Sequence, residues 1–174
     1  MVNTGETSIN KLIILFVFDK MESAISERTI LDMCSSSNEW MGYMDCVNVI
    51  HKLLDDNFIC VVSEDEDTLY TITPDGRETL ANFYIKIPKS VREEISQFVK
   101  KNSSRYRNKQ ECRSDYYQNK DGTYTVYLKL LSPVQPILEL KFVVPDRKTA
   151  NKIYKKWEEK ASDLYSVIYE NLSD

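Results

Sequence analysis

Apolar residues in the first third of the chain recur at the three- and four-residue spacing of amphipathic helices. The first stretch follows Ser8, its expected N-cap, and carries Ile9, Leu12, Ile13, Phe16 and Val17. Because this stretch is apolar on nearly every side, a buried strand is the alternative to a helix. A second helix is predicted to start at Ser26, and the polar residues 35–38 indicate a break after it.

The third helix is predicted from Trp40 to Asp56. At about 100° per residue, one of its sides holds Tyr43, Met44, Val47, Ile50, His51 and Leu54. We expect that side to face the core. The opposite side then holds Asp45, Val49, Lys52 and Asp56.

The periodicity changes to that of short strands at Phe58–Val62 and Leu69–Thr73. The loop that joins them is acidic and contains Glu64, Asp65, Glu66 and Asp67. Thr73 and Pro74 have the residue types of an N-cap and a first helical position. Gly76 allows the helix that starts there to lie close to the preceding strand. Three helices followed by a hairpin predict a winged helix-turn-helix domain over residues 1–86.

The second half of the chain predicts a different module. Residues 87–104 are expected to form a connecting helix and a linker. In residues 105–174 a hairpin turn at Asn119–Gly122 and alternating apolar positions predict three antiparallel strands with one buried face. The predicted buried positions on the last two strands are Tyr124, Val126, Leu128, Leu130, Leu138, Leu140, Phe142 and Val144.

Pro145 and Asp146 end the last predicted strand and open a long helix. Its apolar stripe is predicted to contain Ala150, Ile153, Trp157, Ala161, Leu164, Ile168 and Leu172. This helix is expected to cover the sheet. The predicted fold class is therefore α+β, with an N-terminal winged helix-turn-helix, a connecting helix and a C-terminal three-stranded antiparallel sheet under a long helix.

Composition narrows the classes of function. The 174 residues include four glycines and one histidine, His51, so no GxGxxG or GxxxxGK[ST] phosphate loop is present and triad catalysis would depend on His51 alone. The four cysteines have no CxxC spacing, which favours free thiols in a reducing cytoplasm over a metal site. We therefore expect no enzyme, with no catalytic residue, cofactor or metal. The longest apolar run, Leu12–Phe18, is too short for a membrane helix of about 20 residues.

Charge separates the two halves of the chain. Residues 1–86 contain 6 Lys and Arg against 15 Asp and Glu, a net charge of −9, whereas residues 87–174 contain 17 against 12, a net charge of +5. Such asymmetry indicates two modules with different roles.

The predicted winged helix identifies candidate DNA-binding residues, because its third helix normally enters the major groove while the wing contacts the backbone. The candidates are Asn38, Trp40, Tyr43, Asn48 and, for a phosphate contact, Lys52. The acidic loop would repel phosphate. Two functions therefore stay open: a DNA-binding regulator, or an interaction and dimerisation module whose acidic winged helix does not bind DNA.

A basic stretch follows the predicted connecting helix. Its candidate DNA contacts are Arg105, Arg107 and Lys109, which are flanked by Lys100, Lys101 and Arg113. These residues would follow a phosphate backbone, form a solvated linker, or neutralise the acidic wing of a partner subunit. We expect a homodimer, with double-stranded DNA as the candidate partner and no effector indicated by the residues.

Several motifs carry a family resemblance. The segment Leu69–Leu80 resembles the exit from wing to helix in PadR- and MarR-like regulators. The chain also contains IPKSVREEI at residues 87–95, Asp115-Tyr116-Tyr117, and Val144-Pro145-Asp146 before a Trp157-containing helix. With these motifs, residues 8–172 resemble an uncharacterised family of bacterial winged-helix proteins, a domain of unknown function. The resemblance implies a transcriptional regulator and carries over no ligand or operator.

Overall fold

The computed structural model describes residues 4–64, 67–132 and 135–173 and divides at residue 104 into two units. In the first unit, α1 (Thr4–Met21), β1 (Ile25–Ser26) and α2 (Glu27–Leu31) lead into a π-helical segment (Asp32–Ser37). They are followed by α3 (Tyr43–Asp55), β2 (Ile59–Ser63), β3 (Leu69–Ile72) and α4 (Pro74–Phe83). A 3-10 turn (Tyr84–Lys86) precedes α5 (Lys89–Glu111), a helix that contains the boundary between the units.

Helix α1 is buried along most of its second half. All residues from Leu12 to Phe18 are at most 8% exposed, so their apolar character on every side reflects burial between neighbouring elements. The prediction of a helix is confirmed and the strand alternative is excluded. The predicted N-cap was wrong, because the helix begins at Thr4 and Ser8 lies inside it.

The second helix begins as predicted, with Ser26 as its N-cap accepting a hydrogen bond from the backbone N–H of Thr29. The predicted break at residues 35–38 was wrong over its first three residues. Ser35–Ser37 continue the helix with π-helical hydrogen bonding, and the chain leaves the helix only at Asn38.

The buried side of α3 differs from the predicted one. Cys46, Val49, Ile50 and Leu53 are buried, whereas Tyr43, Met44 and His51 are exposed. The inward face is therefore turned by roughly one residue, about 100°, from the prediction. Asp56, which ends the helix, forms an ion pair with Lys11 of α1 at 2.5 Å.

The first sheet has the strand order β1-β3-β2 and is antiparallel throughout. The two strands of the hairpin were predicted, but β1, which pairs Ile25 with Tyr70, was not. Thr73 caps α4 as predicted, because its hydroxyl accepts a hydrogen bond from the N–H of Gly76 and donates one to the carbonyl oxygen of Asn57.

The second unit contains β4 (Cys112–Gln118), β5 (Tyr124–Leu131) and β6 (Pro136–Val144) in the antiparallel order β4-β5-β6. Helix α6 (Arg147–Leu172) starts after Asp146, its N-cap, and packs on one face of this sheet. The predicted three strands and long helix are confirmed. The core consists of Val126, Leu128, Leu130, Val144, Ala150, Trp157 and Ala161.

Two parts of the surface predicted to be buried in this unit are exposed to solvent. Phe142 on β6 is 39% exposed, and Leu164 and Leu172 near the end of α6 are 41% and 81% exposed. The fully buried part of the α6 stripe therefore ends at Ala161.

The linker predicted within residues 87–104 was wrong. Helix α5 continues through Glu111 and β4 begins at the next residue. The basic stretch is therefore helical through Lys109, and its Tyr106 is 3% exposed. None of the helices in the described parts of the chain has the length and apolar character that a membrane span requires.

Candidate nucleic-acid interface

Helix α3 leaves one side uncovered along its whole length. Gly42 precedes the helix as N-cap without a side-chain cap bond, and the first two helical residues, Tyr43 and Met44, are 55% and 65% exposed. Farther along, Asn48, His51 and Lys52 are also exposed, so the uncovered surface extends about halfway round the helix, from Tyr43 to Lys52. The buried side of the helix consists of Cys46, Val49, Ile50 and Leu53.

The five residues that sequence reasoning proposed around α3 fall into two groups. Asn38 and Trp40 make contacts within the first unit: the side-chain amide of Asn38 donates to the carbonyl oxygen of Met33 at 2.8 Å, and the ring of Trp40 packs edge-on against Phe98 at 5.7 Å. The other group, Tyr43, Asn48 and Lys52, lies on the exposed side of α3.

Two residues of this surface were missed because they were assigned to the core. Met44 and His51 are exposed and lie near the middle of the uncovered side. The signal was present in the spacing of Cys46, Val49, Ile50 and Leu53, which also follow a helical repeat and form a narrower stripe. His51 adds two ring nitrogens, which donate or accept hydrogen bonds, to the exposed side of α3.

The hairpin of β2 and β3 carries negative charge. Glu64 and Asp67 belong to the connecting loop, while Asp65 and Glu66 of the predicted acidic tip lie outside the described residues. Burial, followed by the charges of Glu27 and Glu64, raises the pKa of Tyr70 on β3. The electrostatic environment of this hairpin is therefore negative, as its composition predicted.

The basic stretch is part of α5 and β4. Arg105, Arg107 and Lys109 are exposed on the last turns of the helix. Tyr106, between them, is buried, with the guanidinium of Arg105 over its ring at 5.2 Å. Arg105–Arg113 belong to the second unit, which contains 13 Lys and Arg against 10 Asp and Glu, a net charge of +3.

The described residues contain no group of three or more His, Cys, Asp or Glu side chains able to hold a metal ion. Cys34 and Cys46 are buried beside each other in the first unit. Their contact and their burial raise the pKa of the Cys34 thiol well above its usual range. The Cys34 thiol is therefore held in the neutral form.

Comparison with known proteins places the chain in one family. No curated protein and no solved structure matches it. The model of a domain of unknown function (DUF4364) matches residues 10–172, nearly the entire chain. The protein is therefore a member of the DUF4364 family.

Proposed function

We propose that the protein is a DNA-binding transcriptional regulator whose first unit is a winged helix-turn-helix domain. The element order supports this proposal: three helices, with a short strand between the first two, precede a two-stranded hairpin. The strand order β1-β3-β2 supports it too, because the short first strand pairs with the second strand of the hairpin. In such a domain α3 is the recognition helix and the hairpin is the wing.

The uncovered side of α3 is the observation that carries the proposal. An asparagine amide pairs with the exposed edge of adenine, and a lysine donates to guanine or to phosphate. Asn48 and Lys52 supply these groups about one helical turn apart, and His51 is exposed on the same helix. The exposed rings and methyl groups of Tyr43 and Met44 add apolar contacts of the kind that recognise the thymine methyl.

The acidic hairpin weakens this interaction. Glu64 and Asp67 would approach phosphate with the wrong sign, and the first unit as a whole has 10 Lys and Arg against 17 Asp and Glu, a net charge of −7. Since phosphate contacts supply much of the affinity for DNA, we expect a modest affinity that is lost as salt rises.

The second candidate is a protein-interaction module that does not bind DNA. The same exposed Tyr43 and Met44 favour it, because aromatic and methionine side chains are enriched where proteins meet. Negative charge on the hairpin is compatible with a basic protein partner.

A binding titration separates the two functions. Fluorescence anisotropy would be measured with a random 30-base-pair duplex pool and with duplexes selected from it by the protein, at about 50 mM salt. We expect binding of the selected duplexes, with Asn48→Ala and Lys52→Ala each weakening it about tenfold. Lys155→Ala, an exposed lysine of α6, is the control and should leave affinity unchanged. A folded protein that binds neither pool would overturn the proposal.

A further inference from the structure

Strand β6 is an open edge of the second sheet. It pairs with β5 on one side, and its other side carries no strand among the described residues. Most of its residues are exposed, including Glu139, Lys141, Phe142 and Val143. A free edge of nine residues presents unpaired backbone N–H and carbonyl groups, which native proteins usually protect or pair.

The sequence of this edge is complementary to itself in one antiparallel register. If two copies of β6 pair about a two-fold axis at Leu140, Leu140 faces its own copy and Leu138 faces Phe142. Glu139 then lies opposite Lys141, and the symmetry repeats this opposite-charge pair. The exposed Ile137 and Val143 flank this central set at either end.

Neighbouring registers lack this match. A two-fold axis at Glu139 or at Lys141 places identical charges opposite each other, and an axis at Leu138 places Ile137 opposite Glu139. The other edge strand, β4, has Asp115 at its centre, so its central register places two carboxylates face to face. Charge and apolar patterns therefore favour one edge and one register.

We propose that a second copy of this chain docks on β6, forming a two-fold dimer with a continuous six-stranded antiparallel sheet. The partial exposure of the β6 side chains supports a second copy of the chain as the partner of this strand. Leu138 and Leu140 are only half-buried and Phe142 is 39% exposed, although all three lie on the face that α6 covers elsewhere in the sheet. Pairing of β6 with its copy adds apolar neighbours beside these three residues.

The dimer does not depend on DNA binding by the first unit, so the two proposals fail separately. A monomer that binds DNA would overturn only the dimer, and a dimer that ignores DNA would overturn only the regulator. Sedimentation equilibrium of the full chain at about 1–100 μM is the primary measurement. This range covers roughly the dissociation constants of weak to moderate self-association. We expect a dimer, and a monomer throughout would overturn the proposal.

Charge reversal tests the register. Lys141→Glu places two carboxylates opposite each other twice per dimer, so we expect the dissociation constant to rise about tenfold. Glu139→Lys combined with Lys141→Glu exchanges the pair and should restore dimerisation to within about threefold of the original. Lys120→Glu, an exposed lysine in the β4–β5 turn, has the same charge change and should have no effect. Circular dichroism checks that each variant is folded.

A cross-link provides a second, independent test. Residues directly opposite in an antiparallel pair have Cα atoms about 4.5–5.5 Å apart, within reach of a disulfide. With Cys60 and Cys112 replaced by serine, we expect Leu140→Cys to form a covalent dimer under mild oxidation with copper phenanthroline. Lys141→Cys is the matched control, because its copies would be separated by more than about 7 Å. Equal cross-linking at both positions, or none at residue 140, would contradict the register.

Discussion

The indole N–H of Trp157 donates a 2.8 Å hydrogen bond to the backbone carbonyl oxygen of Lys129, which joins the middle of α6 to the central strand of the second sheet. Trp157 is 2% exposed and belongs to the core of that unit. Sequence patterns place both residues on the correct elements but do not reveal this bond, because a backbone acceptor leaves no trace in the residue type of Lys129.

Trp157→Phe removes this donor and part of the core volume. We expect the free energy of unfolding to fall by about 1–3 kcal/mol, because the variant loses this hydrogen bond and some of the buried apolar surface of the indole. Urea unfolding followed by circular dichroism measures the change. Trp40→Phe is the matched control, because the indole N–H of Trp40 has no hydrogen-bond partner in the described structure. Equal losses for both variants would contradict a stabilising role of the Trp157 bond.

Gly76 allows α4 to lie directly against the preceding residues. A Cβ atom at this position would overlap the backbone carbonyl oxygen of Phe58 and crowd the side chain of Ile72. We expect Gly76→Ala to lower the free energy of unfolding by about 1–3 kcal/mol, the usual range for overpacking. Thermal unfolding would detect it, and Glu78→Ala, at an exposed position of the same helix, should change stability little. An unchanged melting temperature for Gly76→Ala would exclude this close approach.

Charge on the hairpin is expected to limit DNA affinity. Glu64→Lys combined with Asp67→Lys should tighten binding of selected duplexes about tenfold. The slope of the logarithm of affinity against the logarithm of salt concentration should steepen by the equivalent of roughly one to two phosphate contacts. Anisotropy titrations at several salt concentrations measure both effects. Glu6→Lys on α1 has the same kind of charge change away from the hairpin. If it strengthened binding equally, general charge rather than the hairpin would be responsible.

The cysteines should react with a thiol reagent in a definite order. Burial, followed by the charges of Glu111 and Glu158, raises the pKa of Cys112 to about 11. At pH 8 roughly one Cys112 thiol in a thousand is therefore ionised, and the thiolate is the reactive form. We expect exposed Cys60 to react first and Cys112 much more slowly, with Cys34 and Cys46 reacting only on unfolding. Cys60→Ser should remove the fast phase; its persistence would refute the assignment.

Acid should weaken the start of α6. Asp146 accepts hydrogen bonds from the backbone N–H and hydroxyl of Thr149, which lower the pKa of its carboxyl group. This stabilisation is complete above the unfolded pKa of about 3.9 and is lost as pH falls through the lower folded value. We expect Asp146→Asn to flatten the decline in melting temperature between about pH 5 and pH 2. Asp163→Asn, on the same helix, is the control; an equal flattening there would contradict the assignment.

Local sequence signals were sufficient to predict helix starts and turns, where a single residue makes one specific backbone interaction or conformation. Thr73 and Asp146 were identified as helix starts, and both accept a hydrogen bond from a backbone N–H three residues later. The turn at Asn119–Gly122 was likewise identified, and Gly122 adopts a positive φ of 87°. Such positions depend on few neighbours, so sequence alone predicts them.

The candidate site was predicted less well because α3 has two overlapping apolar stripes. The stripe through Tyr43, Val47 and Leu54 is as regular in sequence as the stripe through Cys46, Val49 and Leu53. Packing against neighbouring elements selects the second stripe and exposes Tyr43, Met44 and His51. Tertiary contacts determine which of the two stripes is buried, and the periodicity of the sequence alone does not reveal it.

The missed elements lacked a local pattern altogether. Strand β1 has only two residues, too few for any alternation, and it is defined by its pairing with β3. The last turns of α5 are mostly charged and polar, so their apolar spacing is weak and does not distinguish a helix from a linker. No glycine or proline interrupts residues 89–111, and this was the signal that the helix continues.

The π-helical segment Asp32–Ser37 has a consequence for insertions and deletions in the family. A π-helix closes its hydrogen bonds over five residues rather than four, so it holds one residue more than an α-helix does over a similar path. Just after the segment, the backbone N–H of Asn38 donates to the carbonyl oxygen of Ser35, and its side-chain amide donates to the carbonyl oxygen of Met33. Loss of one serine from Ser35–Ser37 would convert the segment to α-helix with little displacement of α3. Relatives that are one residue shorter are expected to have their gap within this run of serines.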